Sequence, residues 1–120
     1  MTIEKGRASD VVRDQYASGD AWVIVVSGDL DMDSAGPLAE ALESAGRGLV
    51  ILDLSEVRFA DSTALNLLLR FRRLVDLQLV QPSEIVSRLL TLTGADALFV
   101  IHDTLSAALA APRSGAVEHD

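Results

Sequence analysis

Asp61, Ser62 and Thr63 stand in a row ahead of a leucine-rich run, in the stretch FADSTALNLLLRFRRL at residues 59–74. Small polar side chains at the mouth of an apolar helix can do two things. Asp61 or Ser62 can cap the helix, because their oxygens accept hydrogen bonds from the first free backbone N–H groups. Ser62, with Thr63 as second choice, can also present an alcohol at a fixed angle to a second molecule. Taken alone, the three residues favour the cap and leave open which of them supplies it.

The remaining candidates for chemistry are thinner. Asp29, Asp31 and Asp33 alternate in one loop and invite calcium, but the Gly and terminal Glu of a helix-loop-helix calcium site are missing downstream. Asp31 and Asp33 fit better as loop fixers, accepting backbone hydrogen bonds ahead of a helix. Asp53 stands near the end of an apolar strand, as a phospho-accepting receiver aspartate would. The acidic pair and the lysine that such a site needs do not accompany it. His102 and His119 are separated, and His102 suits a surface or helix-cap role. There is no cysteine and no Gly-rich phosphate loop, so thiolate chemistry is excluded and no cofactor or metal is expected.

The elements that position these residues follow from periodicity. VVRDQYA at 11–17 and AWVIVVS at 21–27 read as two strands of a hairpin around the SGD turn signal. Asp33 or Ser34 can cap a helix that buries Leu38, Ala41, Leu42 and Ala45 and stops at Gly46. GLVILDLS at 48–55 is apolar without alternation, as a central strand buried on both faces would be. A helix from about Ser62 to Val75 follows, ending there or slightly before. At about 100° per residue, its Leu, Ala, Phe and Val side chains cover a wide arc opposite Asn66, Arg70 and Arg73. The helix is therefore clamped between layers or keeps apolar surface for a partner. LQLVQP reads as the next strand. Ser83 can cap a helix carrying Ile85, Val86, Leu89 and Leu92, with Gly94 as its stop. ALFVI reads as the last strand. A final helix is capped by Asp103 or Thr104, carries Leu105, Ala108 and Leu109 on one face, and ends at Pro112. The order predicts one α/β domain over 11–111, with an N-terminal hairpin, a mostly parallel mixed sheet and about four helices. Residues 1–10 and 112–120 read as flexible flanks.

At 120 residues the chain suits one domain. Its 49% hydrophobic residues support a core, and only 4% aromatics make that core aliphatic. A net charge of -8 argues against nucleic acid and against anionic membranes, both of which attract basic surfaces. Its first ten residues lack the apolar run of a signal peptide, and its apolar runs are too short to span a bilayer, so the expected compartment is the cytoplasm.

The ordered set VILDLSEVRFADSTALNLLL, SGDLDMDSAGPLAEAL and SRLLTLTGADALFVIHDTLSAAL resembles the STAS domain of bacterial anti-sigma factor antagonists, over roughly residues 11–111. The resemblance implies a non-enzymatic regulator of transcription. It would bind an anti-sigma factor that is also a serine kinase and be released once Ser62 is phosphorylated, with a phosphatase to reverse the switch. It also implies that Asp29, Asp31, Asp61, Ser62, Thr63 and Ala64 belong to the partner-binding surface. A phosphate would add roughly −1.5 to −2 charges, which a helix N-terminus tolerates and a fitted partner surface does not. Ala64 departs from the family's Gly, and its methyl could obstruct a kinase. The connection after the second helix is also short for the family. These departures support an alternative, a non-phosphorylated STAS adaptor such as the small cytoplasmic subunit of a lipid-transport ATPase complex. The modest surplus of apolar surface suggests a monomer.

Overall fold

A computed structural model describes residues 11–46 and 48–111. The expected flexible flanks, with Pro112 and His119, lie outside the described residues. The chain starts with a hairpin, β1 (Val12–Ser18) and β2 (Ala21–Leu30), joined through Gly19 and Asp20 and paired antiparallel from Ser18↔Ala21 to Val12↔Val26. Three crossovers follow. α1 (Ala35–Ser44) leads to β3 (Leu49–Ala60), α2 (Ser62–Phe71) to β4 (Asp76–Val80), and α3 (Glu84–Thr93) to β5 (Val100–His102). α4 (Leu105–Ala110) closes the described chain. The sheet runs in the order β1-β2-β3-β4-β5, and every pair after the hairpin is parallel. This is the α/β architecture expected from the alternation of strand and helix signals.

The sheet is covered unequally on its two faces. Ile24, Val26, Val50, Leu52, Leu54, Leu77 and Leu79 meet α1, α2 and α3 through Leu38, Leu42, Ala64, Leu68, Phe71, Val86 and Leu90. On the other face a smaller cluster joins Ala21, Val23, Leu49, Ile51 and Val80 to Ala108, with Leu105 against it. Alternate residues of β2 and β3 therefore enter different cores, which is why those strands read as unbroken apolar runs. Gln78 is the buried polar residue of the second face. Its Oε1 faces His102 Nε2 at 2.9 Å, and its Nε2 reaches Asp76 Oδ1 at 3.4 Å, so the amide is satisfied at both ends.

Several elements differ from the expected ones, among them β2, which runs to Leu30 rather than stopping at Ser27 because Gly28, Asp29 and Leu30 keep pairing with β3. β3 runs to Ala60 rather than stopping at Ser55, because SEVRFA keeps pairing with β2 across two register shifts. Gly28, at φ +82°, supplies the left-handed residue beside the second shift. α2 ends at Phe71, earlier than Val75. A turn takes over, with Leu74 N–H and Val75 N–H both bonded to the Phe71 carbonyl, and it leaves Leu74 exposed. α3 buries Val86 and Leu90, with Leu89 packed against the core, while Ile85 and Leu92 face solvent. In the ALFVI stretch, Ala95–Leu98 form a 3-10 turn after Gly94 at φ +78°, and pairing with β4 begins only at Val100. Ser83 and Thr104 do cap the helices that follow them, through Val86 N–H at 3.4 Å and Ala107 N–H at 3.0 Å. Among the described residues no helix is long and apolar enough to cross a membrane.

Candidate functional site

The parallel register brings the two polar stretches together. Asp29 stands opposite Phe59 and Leu30 opposite Ala60, so the β2–α1 loop leaves the sheet beside the β3–α2 junction. Both lie at the carboxyl ends of parallel strands, where open α/β sheets present their loops.

Asp61 is the cap of α2. Its backbone is extended, with φ −128° and ψ −168°, and its Oδ1 accepts from Thr63 N–H at 3.0 Å and from Ala64 N–H at 3.4 Å. Ser62 is therefore the first residue inside the helix. Its side chain is exposed, and no hydrogen bond engages its hydroxyl among the described residues. Thr63, one position on, is half-buried. Ala64 is only 1% exposed and packs into the main core. Its methyl is turned into the helix-sheet packing and away from solvent. The wide apolar arc of α2 is likewise explained by burial, since Ala64, Leu65, Leu67, Leu68 and Phe71 are all covered.

The facing loop is fixed by its own polar groups. Asp31 Oδ1 accepts from Asp33 N–H at 3.1 Å and from Ser34 N–H at 3.2 Å. Ser34 holds the cap position of α1 but makes no side-chain cap bond. Its hydroxyl instead donates to the Asp29 carbonyl at 2.6 Å and accepts from Asp31 N–H at 2.9 Å. Asp31 thus works inside the loop as the sequence suggested, whereas Asp33 contributes only its N–H to that set. Asp29 points outward and pairs with Arg58 of β3, its Oδ1 at 3.4 Å from Arg58 Nη2. Met32 and Phe59 add exposed apolar surface to the same two segments, Met32 at 73% and Phe59 at 44%. Neither residue nor Arg58 carries a spacing signature, so their place at this edge became visible only with the β2–β3 register.

The other candidates are accounted for locally. Asp53 Oδ1 accepts from Ser55 N–H at 3.0 Å and from the Ser55 hydroxyl at 2.8 Å. His102 ends β5 against Gln78. Among the described residues no group of three or more His, Cys, Asp or Glu side chains is arranged to hold a metal ion.

The family model described as "Mlab, STAS domain" matches residues 14–103. No curated protein matches the chain. Solved structures do. A Thermotoga maritima protein assigned as an anti-sigma factor antagonist is 24% identical, with 80% of this chain and 90% of that one covered and a TM-score of 0.74. An anti-sigma factor antagonist from Mycobacterium paratuberculosis is 27% identical over 80% of this chain and 88% of its own, at 0.73. The anti-sigma factor antagonist SpoIIAA, in its unphosphorylated form, shares the fold at 20% identity and a TM-score of 0.63, over 80% of this chain and 91% of its own.

Proposed function

The chain belongs to the STAS domain family, and from that premise we propose that it is an anti-sigma factor antagonist switched off by phosphorylation of Ser62. The observation that carries this reading is the division of labour at the start of α2. Asp61 does the capping, and the adjacent Ser62 hydroxyl is exposed. An alcohol there can be modified without removing a bond that the fold uses.

In this reading the partner is an anti-sigma factor with serine kinase activity. It docks over Ser62, Thr63, Asp61 and the Asp29–Asp31 loop. The kinase holds ATP and magnesium and takes the hydroxyl proton. The Ser62 Oγ–phosphorus bond forms as the bond from the γ-phosphorus to ADP breaks. The added charge of roughly −1.5 to −2 is accommodated by the helix N-terminus. The partner, fitted to a neutral serine beside Asp61, is repelled; like-charge juxtaposition costs several kcal/mol and each ~1.4 kcal/mol is tenfold in affinity. A phosphatase would restore the active form. The chain works as a cytoplasmic monomer and supplies only the acceptor.

Incubation with the cognate kinase and ATP, followed by mass spectrometry, tests the reading. Phosphate on Ser62 alone is expected; label elsewhere, or none with an authentic kinase, defeats it. Ser62→Asp should weaken partner binding by at least about tenfold and leave the thermal midpoint nearly unchanged.

A second reading, the non-phosphorylated adaptor of a lipid-transport ATPase complex, draws on the short connection between α2, which ends at Phe71, and β4, which starts at Asp76. The inward-facing Ala64 removes one of its arguments. Co-purification with an ATPase subunit instead of a sigma-regulator kinase would select it.

A further inference from the structure

The two helices that begin at this edge do so differently. α2 starts on an extended Asp61 whose carboxylate caps it. α1 starts on Ser34, a good capping residue by type, yet Ser34 has a helical backbone, with φ −108° and ψ −4°, and its side chain makes no cap bond. The first turn of α1 holds no acidic residue in compensation. The Ser34 hydroxyl is turned back across the end of β2. It donates to the Asp29 carbonyl at 2.6 Å and accepts from Asp31 N–H at 2.9 Å. Those two groups flank Leu30, which is 1% exposed and pairs with Ala60, the residue before Asp61. The Ser34 N–H adds a bond to the Asp31 carbonyl at 3.1 Å. One residue thus ties positions 29 and 31 to the start of α1, alongside the strand that leads into Ser62. Serving the loop forgoes the stabilisation of an ordinary cap, and natural sequences set aside a local rule of this kind at functional sites.

Within the function proposed above, on which this inference rests, Asp29 and Asp31 face the partner. We propose that Ser34 is the positioning residue of that docking surface: its hydroxyl holds the Asp29–Asp31 loop in the receptive shape before the partner arrives. Ser34 is itself half-buried and acts through the loop. A loop already ordered spares the partner the cost of ordering it, so affinity is gained without an added contact.

Phosphoryl transfer to Ser62 by the anti-sigma factor kinase reads the effect, because this surface must dock before the serine reacts. Ser34→Ala should raise KM for the chain by about fivefold, the scale of re-ordering a loosened side chain, and leave kcat unchanged. Ser34→Thr keeps the hydroxyl and should restore KM. Ser83→Ala is the comparison. It removes the serine that caps α3 through Val86 N–H, and it should lower the thermal midpoint while leaving KM unchanged. An unchanged KM in Ser34→Ala, an equal rise in Ser83→Ala, or no recovery in Ser34→Thr overturns the proposal. No transfer to the unsubstituted chain strikes the function proposed above. Transfer to that chain with no difference in Ser34→Ala strikes only the role of Ser34.

Discussion

Asp61 closes two of the free N–H groups of α2 with one carboxylate oxygen, so the neighbouring alcohol carries no structural duty at the helix start. That division sets a measurable contrast. Asp61→Ala should cost about 1 kcal/mol of stability, the usual loss of a good cap, while Asp61→Asn should retain most of it. Ser62→Ala, at an exposed position outside the cap, should stay within about 0.5 kcal/mol. Urea denaturation of the three variants checks this, and equal losses at Asp61 and Ser62 would show the hydroxyl sharing in the cap. The row Asp61-Ser62-Thr63 is legible as a helix start from residue type alone. Which residue caps depends on the extended backbone at Asp61, and residue type does not encode that. Arg58 was illegible for a different reason. One arginine in an exposed strand has no period or spacing, and its meaning comes from Asp29, 29 positions earlier in the chain and adjacent only through the sheet.

At the scale of elements, periodicity locates α3 but misplaces its buried side. Ile85, Val86, Leu89 and Leu92 can be drawn as one stripe, yet Leu92 lies about 160° around the helix from Leu90. The contacts choose Val86 and Leu90. With apolar residues on both sides of a short helix, the sheet and the turn after Gly94 decide the rotation. Leu90, 2% exposed, should therefore cost about 2–5 kcal/mol when cut to Ala. Leu92, 78% exposed, should cost less than about 0.5 kcal/mol. Thermal or urea unfolding distinguishes them, and a larger loss at Leu92 would mean that the face is misassigned. The central strands were legible because burial on both faces leaves an apolar run that no loop would carry. The end of β3 was not, because Glu56 and Phe59 are exposed while their backbone still pairs with β2, and exposed Arg58 between them is the unmatched residue of the second register shift.

For the molecule as a whole, the candidate site sits on an extension of the sheet. β4 pairs with β3 only from Leu49 to Asp53, while β2 follows β3 as far as Ala60. Val50 to Leu52 are fully buried between strands on both sides and cores on both faces. Residues 56–60 have one paired neighbour and mostly exposed side chains. Local opening should therefore be easier at the extension than in the sheet centre, since regions with few buried contacts open below the global free energy. Native-state hydrogen exchange should show amides of Val50–Leu52 exchanging only with global unfolding. Paired amides within 56–60 should exchange at least about tenfold faster, a difference of ~1.4 kcal/mol in opening free energy. A partner that docks on Ser62 and the Asp29–Asp31 loop would slow the second group and leave the first untouched. Equal protection along the whole of β3 would mean that the extension is as rigid as the core. A phosphate on Ser62 would then have to act on the partner by charge alone, with no local rearrangement of the edge that carries Arg58.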